Sequence, residues 1–171
     1  MPTLIDRRGR REDRFVRLEE GVAPAPGAGL LLTLAQWRAE HARWRAHAGP
    51  LGVMLAPPDE AAEIAPDLAA FALVAIDFPV FTDGRGYSTA RLLRERHGWT
   101  GELRAVGDVP RDALFYLARC GFDAFALADG VDVDAALAAF GDFHDAYQAA
   151  VDRDALFARR FPAAHRAGRA A

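Results

Sequence analysis

Short apolar runs alternate with amphipathic stretches along most of this chain. Five runs have the length and composition of buried strands, at residues 29–33, 52–56, 71–76, 101–106 and 122–127. Apolar residues at helical spacing follow each run, so a helix is expected after each strand. This alternation predicts crossover βα units. We therefore expect an α/β protein with about five βα units around a mostly parallel sheet, either an open sheet or a partial TIM-like barrel.

The spacing of apolar residues also predicts where the helices lie. Leu34, Trp37, His41 and Trp44 indicate one helix with a broad aromatic face, which serves either core packing or a cofactor or partner groove. A short helix is expected at 57–64, and another from Ser88 to a stop at Gly98. Further helices are predicted from Pro110 to Cys120-Gly121 and after 129–134. The last carries a stripe of Phe140, Phe143, Tyr147 and Val151.

The two ends of the chain have a different composition. Two short extended pieces, at 4–5 and 15–18, flank the arginine-rich run 7–10 and predict an N-terminal hairpin within residues 1–20. Residues 21–29 are a Pro/Gly/Ala linker, and the Ala/Arg-rich tail 163–171 is expected to be flexible. The length fits a single domain over 1–162.

Composition narrows the class of protein. All 21 basic residues are arginine, so Schiff-base chemistry, a pyridoxal phosphate anchor and a P-loop lysine are excluded. The single cysteine, Cys120, excludes an internal disulfide and sites that need several thiolates. A net charge of −3 argues against nucleic-acid binding. No apolar run reaches membrane-spanning length, and residues 1–14 lack the apolar core of a signal peptide, so a cytoplasmic protein is expected.

The loop between the third strand and its helix is the clearest candidate site. A strand, a loop and a helix N-terminus together present free backbone N–H groups to an anion. The predicted anion-binding residues are Asp83, Gly84, Arg85, Gly86, Tyr87, Ser88 and Arg91. Because loops after parallel strands share one rim, Asp77, Asp108 and Arg111 are expected nearby, with Arg94 and Arg104 in support. No catalytic or metal-ligating residue is assigned.

Each of these residues also has a structural interpretation. In this interpretation, Ser88 is expected to be a simple helix N-cap, and Asp83-Gly84 and Arg85-Gly86 are expected to be turn residues. Asp108 caps the following helix, and Arg85 and Arg111 pair with neighbouring aspartates. Cys120 is expected at a helix C-terminus, which raises a thiol pKa and favours a structural role. The sequence alone leaves both interpretations of the loop open.

Three runs of the chain resemble a known bacterial family. They are residues 78–94, 101–109 and 119–125, and the likeness extends to the Trp37 helix and the 51–53 strand. The chain resembles domain-of-unknown-function family 934, with departures at Pro110 and Ala113. This resemblance implies a protein encoded beside sulfite or nitrite reductases and sulfonucleotide reductases. It also implies an oxidoreductase of sulfite reduction without an established mechanism.

Two hypotheses follow from the resemblance and the loop. The first is an oxidoreductase or redox accessory protein of assimilatory sulfite or sulfate reduction, with an arginine-lined site for sulfite, sulfate or a nucleotide phosphate. Its cofactor is unknown, because the G-x-G-x-x-G fingerprint of dinucleotide binding is missing. The alternative is a non-catalytic partner that docks on the sulfite or nitrite reductase through the Trp37/Trp44 face or the Phe140/Phe143/Tyr147 stripe.

Overall fold

An eight-stranded sheet forms the centre of the computed structural model, which describes residues 2–19, 24–80, 82–142 and 150–151. The strands are β1 (Thr3–Asp6), β2 (Gly9–Arg10), β3 (Phe15–Arg17), β4 (Gly29–Thr33), β5 (Leu51–Leu55), β6 (Leu73–Phe78), β7 (Glu102–Gly107) and β8 (Ala124–Leu127). Their order is β2-β1-β8-β7-β6-β5-β4-β3. Strands β3 to β8 pair in parallel, and β1 is antiparallel to both β8 and β2.

The sheet curls into an open half-barrel within a single α/β domain, which confirms the predicted fold class. Its helices are α1 (Leu34–Ala39), α2 (His41–Arg45), α3 (Ala61–Ile64), α4 (Arg85–Glu95), α5 (Leu114–Arg119) and α6 (Val133–Ala139). Two 3₁₀ segments, Ala65–Ala70 and Arg111–Ala113, extend α3 and precede α5. Each strand from β4 to β8 is followed by helix, so the five predicted βα units are present.

The two faces of the sheet differ in what covers them. On the outer face, alternate strand residues such as Val53, Val74 and Ile76 join side chains from all six helices in one large core. The inner face carries a second, small apolar cluster of Leu31, Met54, Leu73 and Ala75. Helices that connect parallel strands lie on the outside of a curled sheet. The inner face is therefore not covered by these helices, and Phe15 of the N-terminal segment packs against it.

The N-terminal prediction was right about a hairpin and wrong about its partner strand. Strands β1 and β2 form the hairpin, with Ile5 opposite Arg10, at one edge of the sheet. Strand β3 lies at the opposite edge, where it runs parallel to β4 and Phe15 pairs with Gly29. There the Phe15 ring packs beside the small inner cluster. This long-range burial outweighs the short turn that would have paired β3 with β1.

The predicted aromatic helix is divided into α1 and α2. The backbone of Glu40 leaves the helical region, with φ −132° and ψ 42°, and the Trp44 indole N–H donates to the carbonyl oxygen of Gln36 at 3.0 Å. Trp37 and Trp44 are only 2% and 4% exposed. The burial of these two side chains supports core packing as the interpretation of this face.

Several predicted helix ends are confirmed. Helix α3 ends at Ile64, and α5 ends at Arg119 with Cys120 as its C-cap, followed by Gly121 with a positive φ of 106°. The Asp132 side chain caps α6 by accepting the backbone N–H groups of Asp134 and Ala135. Four predictions lie outside the described residues: part of the linker, Phe143, Tyr147 and the tail 163–171.

Candidate functional site

Helix α4 begins three residues earlier than the sequence pattern indicated. Its first residue is Arg85 and its N-cap is Gly84, so Ser88 lies in the fourth helical position and is not a cap. The side chain that serves the helix start is Asp83, which accepts the backbone N–H of Arg85 at 3.1 Å. The backbone N–H of Tyr87 already donates to the carbonyl oxygen of Gly84 at 3.3 Å, and the N–H groups from Ser88 onward lie beyond the unpaired first turn of the helix. Residues Tyr87 to Ala90 therefore do not supply the free donors that were predicted.

Asp83 and Arg85 form a two-pronged ion pair at this helix start. Arg85 Nε donates to Asp83 Oδ1 at 3.0 Å, and its Nη2 donates to Oδ2 at 2.7 Å. These side-chain bonds, followed by the Arg85 backbone N–H, hold the pKa of Asp83 below its usual value. Because the Arg85 side chain is 62% exposed, the pair fixes the guanidinium in place while leaving donors free.

Gly86 and Tyr87 attach the helix start to the core. A Cβ atom at Gly86 would lie 2.6 Å from Phe78 Cζ and 3.0 Å from Ile76 Cγ2, so glycine is needed here for close packing on β6. The Tyr87 ring contacts Phe78 and Tyr116, with ring centroids 5.3 and 5.2 Å away. Burial raises the pKa of Tyr87. Tyr87 thus faces α5, on a different side of α4 from Ser88.

Arg85 and Ser88 line a cleft of about 560 Å³ between α3 and α4. Arg96 and His97, at the far end of α4, line the same cleft. In the part of the chain that the structure describes, neither of these two side chains has a hydrogen-bond or ion-pair partner. The cleft therefore combines one held guanidinium with two basic groups that are available to a ligand.

The acidic residues of this cleft are already engaged by backbone groups. Asp59 accepts the N–H of Ala56 at 2.7 Å. Glu60 and Glu63 form a capping box at the start of α3, in which the Glu60 backbone N–H donates to the Glu63 carboxylate at 2.7 Å. Carboxylates that accept backbone N–H groups are held in place, and they do not neutralise the arginines on the opposite wall by direct contact. The cleft can thus hold an anion against α4.

The other predicted site residues do not share this cleft. Arg91 faces the opposite side of α4 and pairs with Glu95 at 2.9 Å, which raises the pKa of its guanidinium. Arg111 donates to the carbonyl oxygen of Ala135 and pairs with Asp142 at 3.1 Å. The backbone N–H of Asp108 donates to Phe78 at 2.7 Å, so the two loops do meet at one rim as predicted.

Arg94 and Arg104 have structural partners of their own. Arg94 donates to the carbonyl oxygens of Trp99, Gly101 and Gly121 and pairs with Asp123, joining α4 to the loops before β7 and β8. Arg104 is 3% exposed on the inner face of β7. There it pairs with Asp13 and Glu102 at 2.9 and 2.8 Å. Neither guanidinium is available to the α3–α4 cleft.

Asp77 also lies on the inner face and so outside this cleft. It is the penultimate residue of β6 and is in register with Val106 of β7. Desolvation by burial raises the pKa of the Asp77 carboxyl, against a smaller lowering by the charge of Arg17. The structure thus separates Asp77 from Asp83, although the sequence placed both in one loop.

Comparison with models of protein families shows which family the chain belongs to. The family model described as "Bacterial protein of unknown function (DUF934)" matches residues 52–157. The chain belongs to the DUF934 family. The matched region includes β5 to β8 and both walls of the α3–α4 cleft, so the cleft lies within the family's shared region. No curated protein and no solved structure matches the chain.

Two further findings concern metals and membranes. Over residues 2–19, 24–80, 82–142 and 150–151, no group of three or more His, Cys, Asp or Glu side chains is placed to hold a metal ion in this DUF934 protein. None of the helices within those ranges has the length and apolar character needed to cross a bilayer.

Arg96 and His97 are the cleft residues that the sequence prediction missed. A signal for Arg96 was present, because positions 85, 88, 89, 92 and 96 follow the spacing of a single helical face. This spacing places Arg85 and Arg96 on the same face of the helix and Arg91 on a different face. The opposite wall, with Asp59 and Glu60, comes from a different βα unit and has no local signal.

Proposed function

We propose that this DUF934 protein binds an oxyanion in the α3–α4 cleft and works in assimilatory sulfite or sulfate reduction, as an oxidoreductase or a redox accessory protein of the cytoplasm. The observation that supports binding is the charge arrangement of the cleft. Arg85 is held by Asp83, while Arg96 and His97 have no partner among the described residues. The assignment to sulfur metabolism depends on the resemblance of the three sequence runs.

The length of the cleft favours one of the three proposed anions. Arg85 and Arg96 are eleven residues apart on α4, which corresponds to about 16 Å at the rise of an α-helix. Sulfite or sulfate is much smaller than this distance and would contact one end of the cleft. A nucleotide could place its phosphates at one end and reach toward the other. We therefore propose a nucleotide phosphate as the preferred oxyanion.

Calorimetric titration tests this site. Sulfite, sulfate, AMP and ADP are titrated into wild type and into Arg85→Ala, Arg96→Ala and Arg91→Ala. Loss of one charged hydrogen bond weakens binding by roughly ten- to a hundred-fold, so Arg85→Ala and Arg96→Ala are expected to lose affinity for ADP by this amount. Arg91→Ala is the matched control, because it removes the same charge from the other side of the same helix.

Two outcomes would contradict the binding site. One is the absence of binding of all four anions by wild type. The other is an equal loss in Arg91→Ala, because that result would show general attraction by positive charge and no defined contact. If sulfite alone binds, and only Arg85→Ala weakens it, the site is retained and the preference for a nucleotide is wrong.

The redox part of the proposal has a separate test, since the cofactor is unknown. The protein is purified without oxygen, and absorption spectra are recorded before and after addition of flavin or nicotinamide. A bound chromophore that changes on addition of sulfite would support an oxidoreductase. A colourless protein that binds neither flavin nor nicotinamide would leave the accessory role.

The second candidate function is a non-catalytic protein that docks on the sulfite or nitrite reductase. An exposed aromatic residue favours it: Tyr116 of α5 is 48% exposed and its ring packs against Tyr87. Co-purification of the reductase with wild type, and its loss with Tyr116→Ser, would support docking through this surface. Leu92→Ser is the control, since Leu92 is 44% exposed and lines the α3–α4 cleft. Normal growth on sulfate after deletion of the gene would count against both functions.

A further inference from the structure

The inner face of the half-barrel contains a second concave region, separate from the α3–α4 cleft. It has a volume of about 360 Å³, within the range of small-molecule pockets. Apolar side chains, including Phe15, Leu31 and Met54, line it together with the charged groups of Arg17 and Asp77. A mainly apolar wall with a few converging polar groups is the usual composition of a ligand site.

The N-terminal segment covers one side of this pocket and is fixed there by buried charge. Arg104 Nη1 donates to both carboxylate oxygens of Asp13 at 2.9 Å, and the Arg104 guanidinium lies 5.8 Å from the centre of the Phe15 ring. Glu102 binds the same guanidinium at 2.8 Å. Since Arg104 already has both carboxylates as partners, it forms part of the wall and is not a free ligand contact.

Asp77 and Arg17 differ from Arg104 in having no such partners. Within the described ranges, neither side chain makes a hydrogen bond or an ion pair, although the charge of Arg17 reaches the Asp77 carboxyl. Both residues lie at the carboxyl ends of their strands, β6 and β3, which is the end where curled parallel sheets bind ligands. A half-buried carboxylate without a partner is costly, and a cationic donor would relieve that cost.

We propose that this pocket binds a small zwitterion, an α-amino acid with an apolar side chain. The ammonium group would donate to Asp77, and the carboxylate would accept from Arg17. The apolar side chain would lie against Leu31 and Met54. An amine alone would leave Arg17 without a partner, and a carboxylate alone would leave Asp77 without one. A zwitterion instead provides an opposite charge for each of the two groups.

The test uses the full chain and matched probes. L-leucine, L-methionine and L-phenylalanine are titrated by calorimetry. They are compared with 3-methylbutylamine and 4-methylpentanoate, which keep the leucine side chain and only one of its charges. At least one amino acid is expected to bind, with affinity reduced at least tenfold in both single-charge analogues. Amide-proton chemical shifts in NMR spectra are expected to change at the ends of β3 and β6.

Variants connect the binding to the two charges. Asp77→Asn and Arg17→Gln are each expected to weaken the amino acid roughly ten- to a hundred-fold. Glu95→Gln, the same kind of change on the exposed side of α4, is expected to leave the affinity unchanged. Asp77→Asn is expected to fold normally, because it removes a half-buried charge that has no hydrogen-bond or ion-pair partner among the described residues. Circular dichroism checks that the variant is folded.

Three results would overturn the proposal. They are the absence of binding by all three amino acids, binding of 3-methylbutylamine as tight as that of leucine, and an unchanged affinity in folded Asp77→Asn. A concentration-dependent dimer that is lost in Asp77→Asn would also overturn it, because a second copy would then occupy this face. None of these results depends on the α3–α4 cleft, which lies on the other face of the sheet.

Discussion

Replacement of Arg94 by alanine is expected to destabilise the protein strongly. Its guanidinium donates to three backbone carbonyl oxygens, those of Trp99 at 2.7 Å, Gly101 at 2.9 Å and Gly121 at 3.0 Å. It also pairs with Asp123. The Arg94 side chain is only 12% exposed, so these bonds are largely shielded from water. One side chain thus connects α4 to the loops before β7 and β8.

The expected loss of stability follows from these bonds. A hydrogen bond to a charged group contributes about 1.5–3 kcal/mol, so three of them at the lower end give about 4.5 kcal/mol. Arg94, Gly121 and Asp123 also line a separate surface pocket near the start of β8, so removal of the Arg94 side chain lets water from this pocket reach the carbonyl groups. We therefore expect the free energy of unfolding to fall by about 3 kcal/mol, and Tm to fall by about 6–12 °C.

Arg91→Ala is the matched control, because it removes the same side chain from the same helix. Arg91 pairs only with exposed Glu95 across one helical turn, an interaction worth about 0.3–0.5 kcal/mol. Its Tm is expected to fall by about 1 °C. Arg94→Lys keeps the charge, but a single ammonium lacks the fork of donors that the carbonyl groups require, so less than half of the loss is expected to be recovered.

Urea unfolding and thermal melts, both followed by circular dichroism, measure these differences in free energy and in Tm. Equal midpoints for Arg94→Ala and Arg91→Ala would refute the reasoning, because the partners of Arg94 would then contribute no more than an exposed ion pair. Full recovery in Arg94→Lys would show that the charge matters and the guanidinium geometry does not.

Two further changes test strand β6: one tests how closely helix α4 packs on it, and the other tests the charge of its residue Asp77. Gly86→Ala is expected to lower the free energy of unfolding by about 1–3 kcal/mol, because the added methyl group would collide with the Phe78 ring. In the control Gly84→Ala the added methyl group has no atom within 4 Å, and the expected loss is about 0.5 kcal/mol. Equal losses of the two variants in thermal melts would contradict this reasoning. Because burial raises the pKa of Asp77, the native state binds the proton more tightly, and wild type loses stability as pH rises from about 4 through that raised pKa. Asp77→Asn is therefore expected to be more stable than wild type at pH 7 and equal to it at pH 3 in urea titrations, and a wild type that is more stable at pH 7 would contradict the assignment.

The main elements of the fold could be predicted from local patterns. The strand β4 was predicted with its observed bounds, and the ends of α3 and α5 follow from Ile64 and from Gly121 after Cys120. These signals are carried by neighbouring residues, so the sequence contains them directly. Alternating strands and helices were also sufficient for the parallel sheet, because a crossover connection admits little else.

The pairing of distant segments was decided by tertiary structure. Strand β3 does not join the predicted hairpin, because it pairs with β4 and its Phe15 ring lies 5.8 Å from the Arg104 guanidinium. Asp13, just before the strand, binds the same guanidinium across 91 positions of sequence. Asp67 accepts the Trp37 indole N–H at 3.0 Å and the Arg45 guanidinium at 2.6 Å, and no local spacing indicates that site. Contacts of this kind depend on the packing of whole elements.

In the candidate site, too, some features could be predicted from the local sequence and others depend on the tertiary structure. The sequence by itself determined that Asp83, Arg85 and Ser88 lie at the start of a helix on a sheet rim, since strand, loop and helix are local features. Only the tertiary structure decided which arginines join them. Helix α4 turns Arg91 toward Glu95 and Arg85 toward the α3–α4 cleft. Because successive strand residues point to opposite sides, Asp77 points away from Ile76 and Phe78, and the curl of the sheet makes that side the inner face.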